Sequence, residues 1–241
     1  MTILTKEIAY EIVKEQGTNI VIPDIYTSIA DRAFESKGFT SGGVRTRFPD
    51  LTSVIIPDSI TSIGELAFAY NSLTSVVIPD SVTKFSGEQQ FRNNKLSNVI
   101  LSKNINEISG GAFEGNQLRS IDIPYGVTLI NDSAFMNNQL ERVTIPNSVT
   151  YITNAAFFNN RLSSIKLPDS VTLIGSIAFE ENNLNIIEIP EGTMLLGGSQ
   201  FDPGVQITYR ERKTTTSPVE TNENQEEKQI AEIERPSKFN K

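Results

Sequence analysis

Residues 51–71 read LTSVIIPDSITSIGELAFAYN, and this stretch recurs down the chain. Its Phe68 belongs to a column: Phe34, Phe68, Phe91, Phe113, Phe135, Phe157, Phe179 and Phe201. From Phe68 onward the spacing is 22 or 23 residues. Its Pro57 belongs to a second column in the same register: Pro23, Pro57, Pro79, Ser102, Pro124, Pro146, Pro168 and Pro190. Two columns keeping one beat over most of a chain mean a tandem repeat of about eight coils.

Leu51, Val54 and Ile56 have the spacing L-x-x-L-x-L. Alternate side chains of a short strand point to one side, so this trio faces inward. It recurs as Leu73/Val76/Ile78, Leu118/Ile121/Ile123, Leu140/Val143/Ile145 and Leu184/Ile187/Ile189. Every coil runs the same way round, so the strands are expected to pair in parallel, forming one sheet. With a period of 20–29 residues and recurring aliphatics, the chain reads as a leucine-rich-repeat solenoid. Such a stack has no central core that grows with length; each coil buries its apolar residues against the next.

The rest of each coil is read from the same template. Proline lacks the N–H of a ladder bond and ends the strand. Asp58-Ser59, Asp80-Ser81, Asn147-Ser148 and Asp169-Ser170 follow with short side chains expected to bond back to their own turn. Ile60 and Ile63, or Val171 and Ile174, form a second apolar pair. Gly64 and Gly175 suit positions needing backbone freedom. The Ala-Phe step (Ala67-Phe68, Ala134-Phe135) is expected on a short helical or 3₁₀ turn, with Phe filling the coil. Asn71, Asn94, Asn116, Asn138, Asn160 and Asn182 each follow their Phe by three residues. This column is expected to be structural, its amides bonding the turn backbone of their own coil and the next.

The phrase L-x-S-V-x-I-P-D-S-V-T-x-I-G-x-x-A-F, carried by 73–83 and 162–179, resembles the BspA-type, or treponemal-type, leucine-rich repeat over about residues 20–209. The resemblance implies a right-handed curved solenoid with a parallel β-sheet on its concave face and short turns on the convex one. Members are mostly bacterial or protist proteins, many of them surface proteins implicated in adhesion or host-protein binding. No catalytic residue accompanies the family.

Composition narrows the function. The net charge is −8, which argues against a nucleic-acid partner. The chain has no Cys and no His, which removes thiolate chemistry, zinc–sulfur sites and the commonest general base and metal ligand. An enzyme is not expected, and neither is a cofactor or a metal. Residues 1–17 lack the apolar core of a signal peptide, and no run is long enough to span a membrane. A cytoplasmic location is the expectation from that, with the cell surface as the alternative.

Three departures from the repeat stand out. Phe34 to Phe68 spans 34 residues. The extra stretch, near 36–50, carries Arg45, Arg47 and Phe48, and reads either as a tolerated bulge or as a binding loop. Around Phe91, Gln90 stands in place of Ala, Ser102 in place of Pro and Lys103 in place of Asp, read as drift or as altered curvature. Both ends look like caps. Residues 1–17 read as a helix with Ile8 and Ile12 on one face, stopped by Gly17, and VQITY (205–209) as a last strand. Residues 210–241 have the composition of a disordered tail, with 224–233 as a candidate short helix anchored by Ile230 and Ile233.

The residue before the last inward aliphatic of each strand faces solvent. In order these are Val21, Ile55, Val77, Ile100, Asp122, Thr144, Lys166 and Glu188. Four apolar rungs at about 4.8 Å spacing make a strip roughly 15 Å long. Its neighbours Ser53, Ser75 and Asn98 are small. The strip reads either as β-propensity or as a protein-binding surface. The leading expectation is a monomeric, non-enzymatic scaffold for a protein or peptide. An adhesin and a structural spacer are the alternatives.

Overall fold

The computed structural model describes residues 2–37, 40–41, 44–45 and 49–212. Residues 2–211 form one compact unit of stacked coils, about nine turns. The tail read from 213 onward, with its candidate helix at 224–233, lies outside the described residues.

Each coil has three sides. The first carries the strands Asn19–Val21, Ser53–Ile55, Ser75–Val77, Asn98–Ile100, Ser120–Asp122, Arg142–Thr144, Ile186–Pro190 and Gln206–Arg210. Their central residues, such as Val54, Val76 and Ile121, are buried. The strands are parallel as expected but pair two by two: 19–21 with 53–55, 75–77 with 98–100, 120–122 with 142–144 and 186–190 with 206–210. The single continuous sheet expected on this side is therefore corrected to a row of pairs. Most of these rungs are three residues long and are followed by a proline without a donor, so each offers few N–H groups to its neighbours.

The longer ladders lie on the second side, at the apolar pair that follows the proline. Ile3–Leu4, Ser28–Ile29, Ser62–Ile63 and Lys84–Phe85 form a parallel run of four. Glu107–Ile108, Leu129–Ile130, Tyr151–Ile152, Leu173–Ile174 and Met194–Leu195 form a run of five. The two runs hold nine rungs, of which Ile3–Leu4 is the first. The N-terminal segment is thus more than a helical cap, since it starts the second ladder before the Lys6–Gln16 helix begins. Ala9, Ile12 and Val13 of that helix are buried over the first coil, and Gly17 ends it at φ 78°.

The third side holds the Ala-Phe step, and it is not helical. Leu66 (φ 53°) and Tyr70 (φ 60°) flank Phe68 in the left-handed region; Ser133 and Asn137 flank Phe135 likewise, and Gly111 and Gly115 flank Phe113. This alternation turns every second N–H group across the stack, while Ala67 and Ala69 donate within the turn to Gly64 and Leu66. Leu66, Phe68 and Tyr70 donate to the carbonyls of Glu88, Gln90 and Arg92 at 3.0, 2.9 and 2.8 Å. A helix would have spent those donors on its own carbonyls. A non-glycine residue in the left-handed region costs about 1 kcal/mol or more, which the inter-coil bonds offset.

The eight phenylalanines stack along the interior with centroids 5.2–5.7 Å apart and rings within 11° of parallel. The asparagine column is structural, with one correction of direction. Asn138 Nδ2 donates to its own Phe135 carbonyl and to Phe113 of the preceding coil, and its Oδ1 accepts from Leu118 N at the start of its own coil. Where the turn side chains find a partner, they bond across coils and not within their own turn. Ser81 Oγ donates to Ile60 O, Ser170 Oγ to Val149 O, and Asp80 Oδ1 accepts from Lys103 N.

The irregular coil has a cause. Five positions carry the chain from Ile63 to Phe68 but six from Phe85 to Phe91. The extra residue brings Gly87 at φ 78°, and buried Gln90 donates Nε2 to Ser86 O. The last coil repeats this device. Leu195 to Phe201 also spans six positions, with Gly197 at φ 80° and Gln200 Nε2 on Leu196 O. The second ladder breaks between Lys84–Phe85 and Glu107–Ile108, just at the first of these coils. Ser102 replaces proline without loss, because its buried hydroxyl donates to Val82 O and accepts from Asn104 N. Gly64 and Gly175 do not need left-handed backbone. A Cβ at Gly64 would sit 2.5 Å from Asp31 N, and one at Gly175 2.6 Å from Asn154 N.

Candidate functional site

The strand periodicity that buries Val54 and Val76 turns their neighbours outward. Val21, Ile55, Val77 and Ile100 are between 50% and 60% exposed. Val21 lies opposite Ile55, and Val77 opposite Ile100, so the four occupy one column across consecutive rungs. Beyond them the column turns polar. Asp122 lies opposite Thr144, whose hydroxyl donates to Asp122 Oδ1 at 2.6 Å.

The free edge of the first rung is closed by a side chain. Gln16 Oε1 accepts from Val21 N at 2.7 Å, and its Nε2 donates to Val21 O at 3.2 Å. One carboxamide thus takes the place of a strand, leaving the face of Val21 open while its edge is blocked.

A groove of about 450 Å³ runs beside the strip, lined by Val77, Ile100, Asp58, Asp80, Pro79 and Lys103. Asp80 is held below the usual carboxylate range, chiefly by the backbone N–H of Lys103. Lys103 Nζ adds an ion pair at 3.4 Å. A smaller groove of about 330 Å³ includes Lys37, Asp50 and Tyr70, with Lys37 Nζ 3.9 Å from the centre of the Tyr70 ring.

The inserted stretch contains an antiparallel pair, Thr40–Ser41 with Val44–Arg45, which places the backbone of Arg45 on a short strand. Arg47 and Phe48 lie outside the described residues. Two features were missed in reading the sequence. The exposed carboxylates of Asp24, Asp58 and Asp80 border the strip, a pattern announced by the recurring Pro-Asp pair. Arg210, two coils along from Asp169, donates Nε and Nη2 to Asp169 Oδ1 at 3.0 and 2.7 Å. The same guanidinium reaches Leu167 O at 2.6 Å and Glu188 Oε2 at 3.1 Å. No local signal marks that long reach.

Among the described residues no group of His, Cys, Asp and Glu is arranged to hold a metal ion. No helix among them is long and apolar enough to cross a membrane.

Coils of this length, with inward Leu-x-x-Val-x-Ile rungs, a phenylalanine stack and an asparagine column, define a leucine-rich-repeat solenoid. The chain belongs to the BspA type leucine rich repeat region family, which it matches in 6 copies over residues 46–161 and 128–241. Among solved structures it is similar to a leucine-rich repeat protein from Bacteroides ovatus, with 26% identity and a TM-score of 0.65 over 83% of this chain and 57% of that one. A leucine-rich repeat protein from Eubacterium ventriosum is 25% identical, with a TM-score of 0.53 over 77% of this chain and 47% of that one. A leucine rich cell surface protein from Faecalibacterium prausnitzii shares the fold at 23% identity, with a TM-score of 0.54 over 80% and 69% of the two chains. The chain thus spans little more than half the length of the Bacteroides ovatus protein. A search of curated proteins finds no match.

Proposed function

We propose that this chain is a non-enzymatic scaffold that binds a protein or peptide across the face bearing Val21, Ile55, Val77 and Ile100. The observation that supports it is one outward column that is aliphatic on four consecutive rungs and polar on those that follow, the exposed Ile186 and Ile207 of later strands lying outside that column. β-Propensity alone would favour Val and Ile on every rung. Here the same column continues as Asp122, Thr144, Lys166 and Glu188. Small neighbours, Ser53, Ser75 and Asn98, leave the aliphatics accessible, and burying a contiguous apolar strip is what drives most protein association. The inserted stretch with Arg45, Arg47 and Phe48 is a second candidate contact region of the same scaffold. The acidic net charge disfavours nucleic acid as the partner.

Peptides selected from a displayed random library on the immobilised full chain test this. They are expected to lose binding to an Ile55→Lys/Val77→Glu variant that keeps the wild-type circular dichroism spectrum, and to keep it with Lys166→Glu. Peptides that bind the double variant as they bind wild type would show that the strip is not the site.

A further inference from the structure

We infer that the partner segment is amphipathic and arginine-bearing: its apolar side chains cover Val21, Ile55, Val77 and Ile100, and its arginines engage Asp24 and Asp58. This rests on the reading of the strip given above and adds the chemistry of what lies on it.

The two edges of the strip differ. On one side stand Asn19, Ser53, Ser75 and Asn98, small and uncharged. On the other, three positions further along each rung and so within about 10 Å, stand Asp24, Asp58 and Asp80. All three are exposed. Asp80 is already paired with Lys103. Among the described residues, Asp24 and Asp58 have no such cation. The apolar strip therefore runs beside two open carboxylates, one of them lining the adjacent groove.

The chain itself shows what such a position takes. Asp169 follows Pro168 as Asp58 follows Pro57 and Asp24 follows Pro23. Its carboxylate is occupied by the Arg210 guanidinium, which at the same time reaches the carbonyl of Leu167, the residue before the proline. The matching carbonyls beside Asp24 and Asp58 are those of Ile22 and Ile56. A planar fork of N–H donors satisfies a carboxylate and a nearby carbonyl together, whereas a lysine ammonium engages them only as a point charge. Arg210 thus serves as an internal template for an arginine supplied in trans at the other end of the solenoid. The net charge of −8 would also steer a cationic segment towards this surface.

The test uses fluorescence anisotropy with a labelled synthetic amphipathic peptide, leucines along one stripe and arginines flanking it. Two companions replace every arginine by glutamine or every leucine by serine. The full chain is expected to bind the parent peptide and to bind both companions more weakly. Asp24→Asn/Asp58→Asn is expected to weaken the parent peptide by about tenfold or more, leaving the glutamine companion unchanged. Glu180→Gln/Glu181→Gln removes the same charge from the third side of a distant coil and is expected to change little. The inference is overturned if the aspartate variant binds the parent peptide like wild type, if the glutamate control loses as much, if the glutamine companion binds as tightly as the parent, or if wild type binds none of them. If Ile55→Lys/Val77→Glu abolishes binding while the aspartate variant changes nothing, the strip stands and its arginine specificity falls. If the strip variant binds like wild type, the underlying reading falls with it.

Discussion

The backbone N–H of Leu118 donates to Oδ1 of Asn138, twenty residues further on, at 3.1 Å. The same amide donates to the carbonyls of Phe113 and Phe135, so a single buried side chain closes two coils. Asn138→Ala leaves Leu118 N and two carbonyls short of a partner, and is expected to cost about 2–4 kcal/mol in urea unfolding. Asn138→Asp turns an acceptor towards those carbonyls. It is expected to be worse than alanine near neutral pH and to approach it in acid, because a carboxyl there has a raised folded pKa and is destabilising once ionised. A loss under about 1 kcal/mol for the alanine variant would mean water replaces the amide.

Phe135 stacks between Phe113 and Phe157 at 5.6 and 5.5 Å and is fully buried. Phe135→Ala should cost about 3–5 kcal/mol. Among the described residues Phe201 has a single stacked neighbour, Phe179 at 5.7 Å, so Phe201→Ala should cost less. Equal losses in denaturant melts would contradict the idea that stability sums over neighbour interfaces.

Two glycines separate space from conformation. Gly64→Ala drives a Cβ to 2.5 Å from the backbone of Asp31, with a cost of about 1–3 kcal/mol or more. Gly192 has φ 76° and open space around it, so Gly192→Ala should cost about 1 kcal/mol, from the left-handed backbone alone. Thermal melts of the two variants give the order; Gly192→Ala as the more harmful would reverse the reasoning.

Glu114 lies 2.9 Å from Arg92 Nη2. Burial raises its pKa, and the attraction of Arg92 only partly offsets this. With the folded value above the unfolded one, its contribution to stability is complete below the unfolded pKa and is lost as pH rises through the folded one. Glu114→Gln should therefore flatten the stability curve across mildly acidic pH. A curve of unchanged slope would show that the ion pair cancels the burial penalty.

Much of each coil was legible before the structure. Val54 and Ile56 face inward, and Ile55 faces outward, because a strand alternates whatever surrounds it, while Leu51 is buried just ahead of the strand. Phe68 and its column are buried because one large apolar group per coil has no other place to go. The exposure of Val21, Ile55, Val77 and Ile100 follows from the same alternation. The Ala-Phe step reads from sequence as a helical or 3₁₀ turn because Leu66 and Tyr70 carry no sign of left-handed backbone; only the waiting carbonyls of Glu88 and Arg92 make that conformation worthwhile. Gln90 alone reads as drift or altered curvature, whereas Gln200 beside a second one-residue bulge gives the pair a common role.

What the sequence determined by itself is the period, the inward and outward columns, and the place where the strip stops being apolar, since each depends on spacing within one coil. What the tertiary structure decided is which coil each polar group answers to. Asn138 reaches back to Phe113, Asp80 forward to Lys103, and Arg210 across two coils to Asp169 and Leu167. Hydrogen bonds are short and directional, so their partners are set by the offset between stacked coils. That offset is a property of the packed stack and appears in no single repeat.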